Sequence, residues 1–195
     1  MIGKTELLEA IAGKNRGILA TPSQKKAILA AVSQLEDRNP TPRPVEATDL
    51  LGGNWRLLYT TSDELLRLDR FPLASLGQIY QCVRPTQGKI YNIAEISGLP
   101  YLDVLVSVAA RFEVVSERRV EVKFERAVAG LQTLIGYQSP DAFINQIETG
   151  KKFLALDFQI PSGEQQGWLD ITYLDRDLRI GRGNKDSIFV LTKSS

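Results

Sequence analysis

Histidine is absent from the 195 residues, and cysteine occurs once. The first absence removes the commonest general base, the usual activator of a nucleophile and the commonest metal ligand, so serine triads and histidine-bearing zinc sites are excluded. The second leaves Cys82 with no internal disulfide partner and no CxxC motif, and a lone buried thiol in a reducing compartment accounts for it. Net charge is nearly absent too: 24 Lys and Arg stand against 23 Asp and Glu, a formal +1. No global field therefore draws the chain to nucleic acid or to an anionic bilayer. No uninterrupted apolar run approaches the ~20 residues of a spanning helix, and the longest, around Val104 to Ala110, is strand-like. The start, Met-Ile-Gly-Lys-Thr-Glu-Leu-Leu-Glu, carries acidic residues early and lacks the Arg- and Ser-rich character of a transit peptide, so a mature chain, or one from a cell that needs no import, is expected.

What is present falls into two parts. Residues 1–45 read as a helical segment with a Pro-rich connector, packed on a β-domain of residues 46–195. Lys4 to Ala12 carries Leu7, Leu8 and Ile11, and Pro22 to Glu36 carries Ile28, Leu29, Val32 and Leu35, both at helical spacing. Thr21 as N-cap, Pro22 at the first helical position and Gln24 three residues after the cap mark the start of the second helix. Asn39-Pro40-Thr41-Pro42-Arg43-Pro44 ends it and reads as a stiff extended connector.

After Gly52-Gly53 the period changes. Short runs rich in Val, Ile, Tyr and Phe, separated by Pro and Gly turns, predict an antiparallel sheet with hairpin connections. The predicted strands are Asn54 to Thr61, Gln78 to Val83, Lys89 to Ser97, Asp103 to Val115, Val120 to Ala127, Lys152 to Ile160, Trp168 to Leu174, Leu178 to Arg182 and Ser187 to Thr192. About eight strands suit a closed barrel able to hold one small ligand. Two short helices are predicted inside this region, Asp63 to Leu68 and Asp141 to Glu148.

Alternation assigns faces. Trp55, Leu57 and Tyr59 share one face of the first strand; Val120, Val122 and Phe124 alternate with Glu121, Lys123 and Glu125; Leu154, Leu156, Phe158 and Ile160 share a face. Taken as inward, these faces give an aromatic lining of Trp55, Tyr59, Phe112, Phe124, Phe158 and Tyr173, apolar with a few hydroxyls to orient a ligand. The competing outcome is a barrel filled by these side chains, which an eight-stranded barrel permits.

The segment Gly53-Asn54-Trp55-Arg56-Leu57-Leu58-Tyr59-Thr60-Thr61-Ser62 resembles the opening strand of the plastid lipid-associated protein family, also called plastoglobulins or plant fibrillins. Tyr173-Leu174-Asp175-Arg176-Asp177-Leu178-Arg179-Ile180-Gly181-Arg182-Gly183-Asn184-Lys185-Asp186-Ser187-Ile188-Phe189-Val190-Leu191 is similar to that family's closing hairpin. A Gly-x-Trp triplet alone is weak; paired with Asp-Leu-Arg-Ile-x-Arg-Gly it becomes specific. The resemblance implies a lipocalin-like barrel and, because plant members carry an import peptide, a cyanobacterial-type member. Its ligand class would be isoprenoid lipids: carotenoids, quinones or tocopherol-like compounds. Physically, Gly53 permits a tight entry, Trp55 plugs the barrel floor, and an Arg of the last strands lies on the indole. Arg182 shares a face with Leu178 and Ile180, whereas Arg179 lies opposite with Gly181, so alternation favours Arg182 as the interior partner.

Other chemistry is weak. Asp175 and Asp177 flank Arg176 in a turn, where Asp bonds nearby backbone N–H groups, and Asp170 faces solvent, so a paired-carboxylate hydrolase has no support. Gly181-Arg182-Gly183-Asn184-Lys185 lacks Walker spacing and a following helix. Two apolar loops, Phe71 to Leu76 and Val128 to Tyr137, either fold back on the barrel, which is favoured, or meet a membrane. The expectation is a non-enzymatic protein without cofactor or metal. Its candidate ligand contacts are Tyr59, Phe112, Phe124, Phe158 and Tyr173, and its structural motif is Gly53, Trp55, Arg179 and Arg182. It binds or organises isoprenoid lipids as a cytoplasmic protein peripheral to a thylakoid membrane or lipid particle. The alternatives are a pocketless scaffold that docks on a prenyl-lipid biosynthetic enzyme or coats lipid particles, and a barrel enzyme acting on a bound pigment.

Overall fold

A computed structural model of the protein describes residues 3–62, 75–98, 102–161 and 166–194. The two opening helices form as expected, α1 (Lys4–Ile11) and α2 (Pro22–Glu36). At the start of α2 the Thr21 hydroxyl accepts from the Gln24 N–H at 3.3 Å and the Gln24 side chain accepts from the Thr21 N–H at 3.0 Å, so two otherwise unpaired donors are satisfied reciprocally. The Pro-rich stretch after Asn39 bends through turns instead of running extended. The Asn39 carboxamide oxygen accepts from both Thr41 N–H at 3.1 Å and Leu174 N–H at 3.0 Å, which folds the connector back onto the sheet. A single turn, α3 (Thr48–Leu51), leads into the first strand.

The strands are β1 (Gly53–Thr60), β2 (Ser75–Arg84), β3 (Lys89–Ser97), β4 (Val104–Val114) and β5 (Arg119–Leu131). Then come α4 (Gln132–Ile135) and α5 (Pro140–Glu148). The chain ends with β6 (Leu156–Gln159), β7 (Gln166–Leu174), β8 (Leu178–Gly183) and β9 (Ser187–Ser194). The helix predicted at 63–68 and residues 71–74 of the first apolar loop lie outside the described residues, whereas Leu76 is a buried member of β2. The second apolar segment, read as a loop, is instead the end of β5 followed by α4. Val128 and Ile135 bury their side chains on the outer wall, while Leu134 faces solvent.

All pairings between these strands are antiparallel, and the order β1-β2-β3-β4-β5-β7-β8-β9 returns to β1, which closes an eight-stranded barrel. The ninth strand, β6, shares one edge of β5 with β7: β7 pairs with Arg119 to Lys123, and β6 takes over at Arg126 to Ala129. The strand predicted over Lys152 to Ile160 is therefore much shorter than its alternation suggested.

Helices cover the outside on two sides. Leu7, Ile11, Ile28, Val32 and Leu35 of α1 and α2 pack on Tyr59, Tyr173, Leu178, Ile180, Ile188 and Val190. Phe143, Ile144 and Ile147 of α5 pack on Cys82, Tyr91, Ile93, Leu105, Ala109 and Val128. An ion pair sets α2 on the barrel: Arg182 donates to Glu36 from Nε at 2.8 Å and from Nη2 at 2.7 Å. The loop between α1 and α2 patches the wall where β1 and β2 part above Arg56 and Tyr80. There Thr60 N–H donates to the Arg16 carbonyl at 3.0 Å and the Arg16 guanidinium donates to the carbonyls of Leu76 and Gly77. Gly17 has φ +109°, and a Cβ on it would stand 2.8 Å from the Thr60 carbonyl oxygen, so only glycine fits that contact.

Two of the register irregularities turn aromatic side chains to the outside. The β1–β9 register slips between Leu57 and Tyr59, and the β7–β8 register slips between Ile171 and Tyr173. Each extra residue swaps the face that follows. Trp55, Leu57, Leu169 and Ile171 belong to the inner core, while Tyr59 and Tyr173 belong to the outer layer under α1 and α2.

Candidate functional site

Cross-strand partners share a face, so the pairings name the residues that line the barrel. At the floor these are Trp55, Gln81 and Lys193, which pair in one row across β2, β1 and β9, with Asn92 of β3 opposite Gln81. On the opposite wall they are Val104, Val106, Val108, Ala110 and Phe112 of β4 and Val120, Val122 and Phe124 of β5. Beyond the slip between Ala109 and Ala110, Ala127 and Ala129 continue the inner face of β5.

Exposure runs opposite to the usual order in this wall. The outward residues Leu105, Ser107, Ala109 and Val128 are buried beneath α4 and α5, whereas the inward residues Val104, Val106, Val108, Ala127 and Ala129 are only half-buried. Leu156 and Phe158, on the inner face of β6 opposite Ala129 and Ala127, are 71% and 56% exposed. The described side chains therefore leave this part of the inner wall partly uncovered. They form an apolar cup whose wall rises to a rim of Leu156 and Phe158, with Leu102, Leu134 and Leu154 also exposed.

The floor is closed. Trp55 is fully buried, and its indole N–H donates to the Leu51 carbonyl at 2.8 Å, which ties the plug to α3. Gly53 enters β1 at φ +125°, and a Cβ there would meet Lys193 Cε at 2.8 Å. Lys193 donates from Nζ to the Leu50 carbonyl at 2.8 Å and lies 5.1 Å from the Trp55 ring centre. The Arg179 guanidinium carbon also lies 5.1 Å from that centre, and Arg179 donates to the side-chain oxygen of Gln81. Gln81 in turn donates to Asn92 at 3.1 Å.

The interior partner of Trp55 is therefore Arg179 and not Arg182, which alternation favours. Arg182 points outward to Glu36, and Arg179 stacks on Trp55, because the apolar partners Leu178 and Ile180 face the helical layer and not the barrel interior. The same covered outer face explains Tyr59 and Tyr173, which were expected in the lining and lie outside it. The Tyr173 hydroxyl donates to Asp175 at 2.8 Å, and the Tyr59 hydroxyl is buried without a partner. Phe112 and Phe124 do face the interior. Phe158 has the expected face but stands at the rim. Gln81, Asn92 and Lys193 join the interior without having been expected there. Gln81 and Asn92 sit symmetrically about the Pro85 to Gly88 turn, and two amides on an otherwise apolar inward face were a signal the sequence carried.

Burial pushes the Cys82 thiol up to about 12, so it stays protonated beneath α5. Asp170 is held by Arg119 at 2.6 and 2.7 Å, and Asp175 accepts from the N–H groups of Asp177 and Leu178, the turn role expected for it. Two surface clefts, about 420 Å³ beside Leu8, Arg16 and Gln78 and about 380 Å³ beside Asp103, Gln132 and Tyr137, lie outside the barrel.

A model of the PAP_fibrillin family matches residues 1–192. The chain belongs to that family. PAP_fibrillin relatives include a chromoplast-specific carotenoid-associated protein of Cucumis sativus and a chloroplastic plastid-lipid-associated protein of Citrus unshiu, each 32% identical over 97% of this chain and 67% of the relative. Plastoglobulin-1 of Pisum sativum, also chloroplastic, is 33% identical over 97% of this chain and 60% of its own length. The chain thus spans 60–67% of the length of these plant relatives. No solved structure matches it significantly. The name of the Citrus relative states association with plastid lipid, and that of the Cucumis relative association with carotenoid. Among the described residues no helix is long and apolar enough to cross a membrane.

Proposed function

We propose that the barrel binds a hydrophobic isoprenoid lipid of the carotenoid, quinone or tocopherol class in its apolar cup, without catalysing a reaction on it. One observation carries this reading: the inward wall Val104, Val106, Val108, Ala127 and Ala129 is less covered than the outward wall of the same strands. A barrel whose role was purely structural gains by filling that space, since apolar surface left uncovered forgoes about 25 cal/mol per Å². The rim of Leu156 and Phe158 continues the apolar surface outward, which suits uptake from a lipid particle or a photosynthetic membrane to which the protein is peripheral. The names of the carotenoid-associated and plastid-lipid-associated relatives support the ligand class. A cyanobacterial origin fits the same reading.

The test is quenching of tryptophan fluorescence by a carotenoid and by a quinone, in the native protein and in Val106→Trp. The larger side chain fills the cup at an overpacking cost of about 1–3 kcal/mol. Weaker binding in the folded variant supports the cup, and equal affinity places the ligand elsewhere. Absence of binding in both favours the scaffold that docks on a prenyl-lipid enzyme, a reading to which the exposed rim also lends itself.

A further inference from the structure

The floor of the cup poses an electrostatic problem that the fold leaves unsolved. Arg179 is 1% exposed, its Nε has no acceptor, and no carboxylate pairs with it among the described residues. Its contacts are neutral, the Gln81 amide and the Trp55 ring. Lys193, a second cation at the same indole, adds repulsion. The inward positions of the described barrel strands carry these two cations and no Asp or Glu, whereas Glu113, Glu121, Glu125, Asp157 and Asp170 all lie on outward faces or outside the inner register. A guanidinium with only neutral partners in so dry a place is strongly disfavoured, and such groups are kept where something supplies the missing charge. Burial pulls Arg179 down to about 9, which leaves it cationic at neutral pH. Above it Gln81 and Asn92 are only half-buried, so the polar end of the floor is not sealed from the interior.

We propose that Arg179, with Gln81 and Asn92 beside it, is a head-group site for an amphiphile that enters the cup tail-outward and presents a terminal carboxylate to the floor. This rests on the cup reading and refines it from any hydrophobic lipid to one with a single anionic end. Carboxylate and guanidinium match in charge and in paired geometry, and the bond strengthens in a water-poor site. The tail then lies along Val106, Val108 and Phe124 toward the rim.

The probes are retinoic acid, an isoprenoid carboxylate, and its methyl ester, which has the same tail and no charge, each titrated into the full chain at pH 7 and read by tryptophan quenching. Retinoic acid is expected to bind at least ~10-fold tighter than the ester, the range of a charge-assisted hydrogen bond. Arg179→Met should abolish the preference for the acid over the ester. The native comparison needs no variant, so misfolding of Arg179→Met does not blunt the test. Equal affinity for acid and ester in the native protein overturns the head-group site while leaving the cup standing, and binding of neither overturns both. An oleate arm separates the two sources of a carboxylate: retinoate above oleate assigns an isoprenoid acid, and oleate above retinoate assigns an acyl chain to the same site.

Discussion

The Arg179 guanidinium carbon lies 5.1 Å from the centre of the Trp55 ring at the closed end of the barrel, and no acid stands opposite it among the described residues. Arg182, three residues on, is instead held by both oxygens of Glu36 on the outside. Two arginines of one strand thus differ in kind, one a buried unpaired cation and the other a bolt between barrel and helix.

That difference fixes a stability order. Trp55→Ala empties a fully buried plug and lowers stability by about 3–5 kcal/mol. Arg182→Ala leaves Glu36 half of its partners, the Thr172 hydroxyl at 2.6 Å, and costs about 1–2 kcal/mol. Arg179→Met removes an uncompensated charge and keeps the volume, so the ligand-free protein melts at the same temperature or higher. Thermal melts of the three variants check the order, and a large loss for Arg179→Met would show that the arginine is structural.

Acid should loosen β6 early. Asp157 accepts from Arg126 Nε at 2.8 Å and Nη2 at 2.7 Å and from the Phe153 N–H at 3.0 Å, and the Arg126 bonds hold its carboxyl below the usual range. A carboxyl with a depressed folded pKa contributes stability above its unfolded pKa of about 3.9, and that contribution fades as pH falls through the folded value. Titration from pH 5 to pH 2, read by amide exchange of β6, should show those amides released below about pH 4. Asp157→Asn should remove most of that pH dependence.

Leu156→Ser with Phe158→Ser tests the rim. Both side chains are largely exposed, so the pair of changes stays within about ±0.5 kcal/mol per site. Transfer of lipid from vesicles should slow, while affinity for a ligand supplied in detergent changes little. Unchanged transfer would take the rim out of the uptake path.

Gly17→Ala tests the patched wall. The added Cβ meets the Thr60 carbonyl at 2.8 Å in a backbone region that L-residues avoid, and a loss of about 2 kcal/mol or more follows. A neutral result in chemical denaturation would mean that the Arg16 loop moves aside without consequence.

Much of the fold could be read from residue pattern. The capped start of α2, the helix near 141–148, the hairpin about Pro85 and the alternation of Val120, Val122 and Phe124 follow from local chemistry, and local chemistry placed them. The site was less legible for a definite reason. Assigning Arg182, Tyr59 and Tyr173 to the interior assumed that apolar faces look inward and that alternation persists along a strand. Here α1 and α2 supply a second apolar layer outside β8, and the slips after Leu57 and Ile171 interrupt the period in β1 and β7. Neither slip has a glycine or proline to announce it. Phe158 failed differently, since the length of β6 depends on where β7 leaves the edge of β5.

That shared edge gives the barrel two mechanical halves. Below Lys123 the eight strands form an unbroken hoop whose girth is fixed by complete ladders, so the width a ligand meets at its inner end is constant. Above Arg126 the wall is carried by β6, whose far edge has no strand partner among the described residues, so the upper circumference is a split ring. A split ring dilates without tearing a ladder. Under the proposed binding in the cup, girth at the bottom would set which molecules fit and compliance at the top how fast they pass, so the two properties could change by separate substitutions.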